Sequence, residues 1–250
     1  MSSNDERPRA RGIAVQQLLE EEQVPVPWVL SHEAHVDYGM EPIAKDRYYS
    51  PEFFKLEVEK VWTKVWQMAC FEQDIPNVGD TIVYDIVDWS FIIVREAPDR
   101  IRGYYNMCPH RGRQLVTHSC KVKEFRCPYH GLAYDMEGKI KEVPASIAWD
   151  FPQFQQGHQA LAPVRVETWD GLVFINMDSK AESLAEFLGE LPRHFERWPL
   201  ASRWKSVHVA KVVKANWKTT QDAFLESYHV VGTHPQGLLG GDGSNCQYDI

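Results

Sequence analysis

Cys108-Pro109-His110-Arg111-Gly112 is followed, after sixteen residues counted from His110, by Cys127-Pro128-Tyr129-His130-Gly131. Each half joins one thiol donor to one imidazole, and each is stiffened by proline and loosened by glycine. That composition predicts two hairpin tips that present ligands towards each other. A [2Fe–2S] cluster can take Cys on one iron and His on the other. Neutral imidazoles leave less negative charge on such a cluster than thiolates do, so its potential rises and it accepts electrons from a low-potential donor. The competing reading is a structural zinc site, which also uses two Cys and two His. Zinc fingers keep their cysteine pairs and histidine pairs in separate halves, whereas here each short loop holds one of each. His118 and Cys120 lie between the loops without ligand spacing and read as a connector.

Outward from the loops the pattern is that of short strands. Ile82, Tyr84 and Ile86 alternate with Val83, Asp85 and Val87, Phe91 to Arg95 is a further β-rich run, and strands continue to about Asn176. Glu137-Gly138 and Asp170-Gly171 read as tight turns. On the N-terminal side, one helix is expected from about Ile13 to Glu22. A second starts at Ser50-Pro51-Glu52, where a hydroxyl cap, a first-turn proline and an acid coincide; its buried stripe would be Phe54, Val58, Val61 and Val65. On the C-terminal side, Ser183 opens an amphipathic helix with Leu184, Phe187, Leu188 and Leu191 on one side. A strand is expected around Val207 to Lys214, and Thr219 with Asp222 reads as a capping box for a helix running through Phe224 and Tyr228.

The chain has 250 residues, a formal net charge of −8, 44% hydrophobic and 25% charged residues. These values describe a globular chain with enough length for a core. An acidic balance argues against nucleic acid as the main partner, since phosphate binding needs a basic footprint. No apolar run approaches the roughly 20 residues that span a bilayer, and the N-terminus lacks a secretory apolar stretch. Five cysteines, an odd number, favour metal ligation over a disulfide framework. A cytoplasmic protein is expected.

A second constellation lies near the C-terminal end. Glu226 and His229 stand three apart, the spacing of one helix face, and His234-Pro235 follows beyond the expected helix end. Two histidines and one carboxylate form the facial triad of non-heme Fe(II) oxygenases, with open positions for O2. Alone, such a histidine pair is more often an ordinary surface or core feature than a ligand set.

Together the two loops resemble the Rieske domain of the Rieske non-heme iron oxygenases, specifically of the large (alpha) subunit. Val78-Gly79-Asp80, Val94-Arg95 and Tyr105-Asn106 fit the run into the first loop, and Leu132 stands where many members have tryptophan. The resemblance implies a [2Fe–2S] cluster on Cys108, His110, Cys127 and His130. Downstream, Asn216-Trp217-Lys218 and the His229/His234 pair match the family's N-W-K and H-x4-H-P, which implies mononuclear iron on those two histidines. Glu226 falls where most members carry an aspartate that bridges the metal sites of neighbouring subunits; glutamate keeps the charge but adds a methylene. Asp222 is a candidate partner that holds a histidine tautomer. The third iron ligand is expected beyond Ile250, because Asp242 and Asp249 do not match its position.

The implied fold is α+β: N-terminal helices, an all-β Rieske domain of antiparallel sheets with the cluster at two loop tips, then the start of an α+β helix-grip catalytic domain. The expected divisions are an arm over 1–45, a helix over 46–66 that packs on the catalytic domain, the Rieske domain over 67–170, and an incomplete catalytic portion over 171–250, inactive by itself. The implied activity is that of a terminal oxygenase that hydroxylates, dihydroxylates or demethylates an organic, chiefly aromatic, substrate with O2. Electrons would come from NAD(P)H through a reductase, with or without a ferredoxin, and the assembly would be a homotrimer or an α3β3 complex, with neither nucleic acid nor membrane as partner. The alternative is a Rieske ferredoxin-like electron carrier without oxygenase chemistry.

Overall fold

A computed structural model of the chain describes residues 15–26, 41–150 and 160–225, together with His229 and Thr233. Two compact units are distinguished, residues 55–207 and a second composed of 1–54 with 208–250.

Among its described residues the first unit is built on ten strands: β1 (Gln67–Phe71), β2 (Asp80–Ile86), β3 (Trp89–Ala97), β4 (Arg100–Tyr105), β5 (Cys120–Lys121), β6 (Phe125–Arg126), β7 (Ala133–Tyr134), β8 (Ile140–Glu142), β9 (Pro163–Trp169) and β10 (Leu172–Asn176). Seven form one sheet in the order β1-β10-β9-β4-β3-β2-β5, and β6-β7-β8 form another. Every pairing is antiparallel. The central strand β3 shows why its sequence is a continuous apolar run. Ile92 and Val94 pack into one core with Phe125, Leu132 and Tyr134 of the smaller sheet's region, while Phe91 and Ile93 pack into another with Ile75, Val164, Val173 and Ile175. A strand buried on both faces loses the polar alternation of a half-exposed one.

Both expected turns are present. Asp170 and Gly171 take φ of 46° and 83° between β9 and β10, the two-residue geometry whose twist matches the flanking strands. At the other turn Gly138 has φ 82°, and its N–H donates to Asp135 O at 3.0 Å. A Cβ there would stand 2.5 Å from Cε1 of Tyr104, so the turn excludes any side chain.

The helices depart from expectation in instructive ways. α1 (Val15–Glu21) lies within the expected span. After α2 (Asp46–Tyr49), α3 (Pro51–Glu57) is capped as its sequence predicts, Ser50 Oγ accepting the Phe53 N–H at 3.1 Å. The expected stripe is only half realised: Val58, Val61 and Val65 are half-buried, but Phe54 is exposed. A π-helical turn over Val58–Trp62 inserts one extra residue and rotates the chain beyond it off the 3.6-residue period. A short α4 (Ala145–Asp150) had no counterpart in the sequence pattern. The helix at Ser183 is two helices, α5 (Leu184–Leu188) and α6 (Leu191–Phe195), because Gly189 turns to φ 53° and ends the first. Leu184 is buried, whereas Phe187 and Leu191 are exposed.

The strand expected at Val207 to Lys214 is absent. Residues 203–213 have no regular structure, and Val207, Val209, Val212 and Val213 are all exposed. In the second unit, α7 (Trp217–Asp222) begins three residues earlier than the proposed capping box. Its cap is Asn216, whose backbone is extended and whose side-chain Oδ1 accepts the Lys218 N–H at 3.0 Å, while Thr219 lies inside the helix and Asp222 ends it. Asn216 also donates to Tyr48 O at 3.0 Å, the Tyr48 hydroxyl donates to Asp222 at 3.3 Å, and the Lys218 ammonium lies 5.8 Å and 5.3 Å from the Tyr48 and Phe53 ring centres. Among the described residues, no helix is long and apolar enough to cross a membrane.

Candidate metal centre

The two ligand loops close by the same device. In the first, the Cys108 N–H donates to Arg113 O at 2.8 Å and the Gly112 N–H to Cys108 O at 2.9 Å. In the second, the Cys127 N–H donates to Leu132 O at 2.8 Å and the Gly131 N–H to Cys127 O at 3.0 Å. In both loops the glycine four residues after the cysteine takes a left-handed φ, 72° at Gly112 and 80° at Gly131, where a side chain would be strained. The repeated turn explains the paired C-P…G composition, although the histidine sits second after the cysteine in one loop and third in the other.

The expectation of two hairpin tips holds for the second loop alone. Loop two joins β6 to β7, which pair with each other as Phe125↔Tyr134 and Arg126↔Ala133. Loop one joins β4 to β5, and these strands pair instead with β3 and β2. Residues 113–117 therefore have no ladder partner of their own.

The donors nonetheless meet. Cys108 and Cys127 are fully buried in one apolar core, and the His110 and His130 rings are 4.7 Å apart at 66°. Burial pushes the Cys108 thiol up from its ordinary value, while the His110 N–H, the Tyr134 hydroxyl and the neighbouring Cys127 thiol also act on it. The His110 imidazole is held low, first by burial and then by His130 and Arg111, so it is neutral at pH 7 as a ligand must be. Across the loops, Arg111 donates to the Tyr129 hydroxyl at 3.4 Å and lies over its ring, and that ring stacks 3.8 Å from His130.

One polar atom tests whether a cluster suits the site. Nδ1 of His130 is buried and has no hydrogen-bond partner, a costly arrangement for an imidazole nitrogen unless a metal takes its lone pair. Among the described residues no three His, Cys, Asp or Glu side chains converge to hold one metal ion. The four donors thus do not outline a single-ion tetrahedron, whereas a two-iron cluster divides them into a sulfur pair and a nitrogen pair. The residues present fit the cluster.

Two side chains to which the sequence reading gave no role of their own shape this site: Tyr134, and Asn106, which entered only as part of the run into the first loop. Tyr134, fully buried, brings its hydroxyl to 3.6 Å from Cys108 Sγ. Asn106, two residues before Cys108, is buried at 4% exposure within a net of hydrogen bonds. A tyrosine inside a short strand gave no cue, but a buried-type position held by asparagine just ahead of a ligand motif could have.

Of the second constellation, His229 is helical and half-buried. Glu226 and His234 lie outside the described residues. Asp222 is exposed, and its carboxylate takes the Tyr48 hydroxyl.

Residues 65–158 match the Rieske [2Fe–2S] domain family, and residues 194–246 match the ring hydroxylating alpha subunit (catalytic domain) family. With the fold and the paired loops, these matches define the class: the chain belongs to the Rieske non-heme iron oxygenases, as a large (alpha) subunit. It is 33% identical over 193 residues to the carnitine monooxygenase oxygenase subunit of Escherichia coli (strain K12), covering 76% of this chain and 51% of that one. Over 186 residues it is 31% identical to the 2-aminobenzenesulfonate 2,3-dioxygenase subunit alpha of Alcaligenes sp., with 73% and 47% covered. The crystal structure of a quaternary ammonium Rieske monooxygenase in complex with L-carnitine superposes with a TM-score of 0.72 at 25% identity, covering 82% of this chain and 57% of that chain. The chain spans about half the length of the curated relatives it matches.

Proposed function

We propose that this chain carries the electron-entry domain and the first iron ligands of the terminal component of a Rieske oxygenase system, which oxidises a small organic substrate with O2 in the cytoplasm. The observation that carries the reading is the pair of identically closed loops, with two buried sulfurs and two facing imidazoles of which one has an orphaned nitrogen. Cys108 and Cys127 would hold one iron, and His110 and His130 the other. Bound there, the cluster supplies one-electron transfer at a raised potential. The protein's own part is to keep the sulfurs dry, to hold the two imidazoles facing each other, and to cover one imidazole face with the Tyr129 ring.

His229 and His234 are the proposed ligands of a mononuclear Fe(II), with Glu226 as the carboxylate that links it to the cluster of a neighbouring subunit and Asp222 as a candidate partner that holds a histidine tautomer. Such an iron supplies O2 chemistry when two histidines and a carboxylate leave positions open. Reliance on a neighbour implies an oligomer, proposed as a trimer or α3β3 assembly, and a reductase, with or without a ferredoxin, that draws on NAD(P)H. The matched relatives are named for carnitine and for 2-aminobenzenesulfonate, which supports an organic substrate but not a restriction to aromatic ones. The free cysteines suit a reducing compartment.

Iron and acid-labile sulfide analysis of the purified protein tests the reading. About three irons per full-length subunit with two sulfides are expected, against about two irons for an electron carrier and none for a zinc protein. His110→Ala should abolish the visible cluster spectrum, and a spectrum retained in full would remove His110 from the ligand set.

A further inference from the structure

We infer that Asn106 is the positioning residue of the first ligand loop: its side-chain amide replaces the strand pairing that this loop lacks and so holds Cys108 and His110 in place for the cluster. The inference rests on the cluster reading proposed above and deepens it.

The argument begins with the asymmetry between the loops. Loop two is anchored on both sides by the backbone ladder of β6 and β7. Loop one enters from β4, but the chain that leaves it, residues 113–117, belongs to no strand. Such a segment would leave buried backbone groups unpaired, at about 1–3 kcal/mol for each, and Val116 is buried in the same apolar core as both cysteines.

Asn106 fills that gap. Its Oδ1 accepts the N–H groups of Leu115 and Val116, each at 3.0 Å. Its Nδ2 donates to Val116 O at 2.6 Å and to Ser90 Oγ at 3.0 Å. Its backbone N–H donates to Ser90 O at 2.8 Å, and Gln114 reaches the same Ser90 hydroxyl at 3.2 Å. The amide thus presents one acceptor and one donor edge to residues 115–116, as a neighbouring peptide unit would, and uses all four of its hydrogen-bonding sites. It ties both ends of the loop to β3, whose Ile92 and Val94 line the cluster-side core. Only an amide of this length offers both edges. Aspartate keeps the acceptors but loses the donors and buries a charge, and alanine loses everything.

The test compares wild type, Asn106→Ala, Asn106→Asp and Ser90→Ala, each purified with iron and sulfide supplied. Cluster release to a chelator is followed by loss of visible absorbance, and amide hydrogen exchange is read separately in the two loops. Removal of a group that supports a metal ligand typically costs about 10- to 100-fold in metal affinity. We expect release from Asn106→Ala to quicken within that range, with exchange rising at Leu115 and Val116 and unchanged at Leu132 to Tyr134. Ser90→Ala, which spares the contacts to 115–116, should move release far less. If the alanine variant does not fold, Asn106→Asp carries the same comparison. Release as slow as in wild type, or exchange raised equally in both loops, overturns the inference. A wild-type protein that binds no iron and sulfide would instead remove the cluster reading.

Discussion

Replacing Tyr134 with phenylalanine is the sharpest probe of how this fold tunes its site. The hydroxyl lies 3.6 Å from Cys108 Sγ inside a fully buried pocket, and burial first, then Cys108, pushes its ionisation far above the ordinary tyrosine value. The phenol therefore remains a donor at every working pH, and once the cysteine is a thiolate ligand only the tyrosine can give the hydrogen. A donor aimed at sulfur favours the more negative, reduced cluster. A hydrogen bond to a charged partner is worth about 1.5–3 kcal/mol, but only the difference between oxidation states counts, and the contact is long, so about 1–2 kcal/mol is reasonable. At about 59 mV per tenfold change for one electron, that is a drop of about 40–90 mV. Phenylalanine fills the same volume, so cluster content should not change. The assay is a dye-mediated redox titration of wild type and Tyr134→Phe, with iron and sulfide measured in parallel. A potential equal to that of wild type, with the cluster fully loaded, would refute the reasoning.

Other outcomes follow from the packing. Gly138→Ala should destabilise the Rieske unit by about 1–3 kcal/mol, because a left-handed φ and a 2.5 Å clash with Tyr104 coincide there; an unchanged denaturant midpoint would contradict this. Ser183→Ala should cost about 1 kcal/mol through loss of the cap on α5, seen as a lower thermal midpoint. The bonds from the Ser183 hydroxyl and N–H hold the Glu186 carboxyl below its ordinary value of 4.5. Its contribution is therefore complete above that value and lost as pH falls through the lower folded value. A Ser183→Ala stability deficit that stays the same throughout acidification would dismiss this linkage. Cys70 is buried at 6% exposure, and its thiol is pushed up to about 12, mainly by burial, then by Asp74. It should resist alkylation at pH 8 until the protein unfolds, as peptide mass mapping would show.

Where the sequence could be read, a local rule was enough. Asp170-Gly171 demanded left-handed backbone and so marked a hairpin, and Ser50-Pro51 carried its own cap. Where reading failed, the deciding partner was distant in the chain. The valines of 207–213 have the pattern of a strand, but a strand exists only when another supplies its hydrogen bonds, and these stay exposed. The helix at 216 could be capped by several nearby residues. Asn216 took the role with the extended backbone a cap needs, and the same side chain bonds Tyr48, 168 positions away. Leu191 matched the α5 stripe until Gly189 broke the helix between them.

By themselves, the residues pointed to the chemistry of the proposed metal centre, since donor type, proline and glycine are fixed by composition and act within a few positions of each proposed ligand. Tertiary structure decided how those donors are held. It placed Tyr134 against Cys108 and Asn106 under an unpaired loop, and it left His130 Nδ1 bare, because hydrogen bonds between residues far apart in the chain exist only once β3 and its neighbours have brought them together.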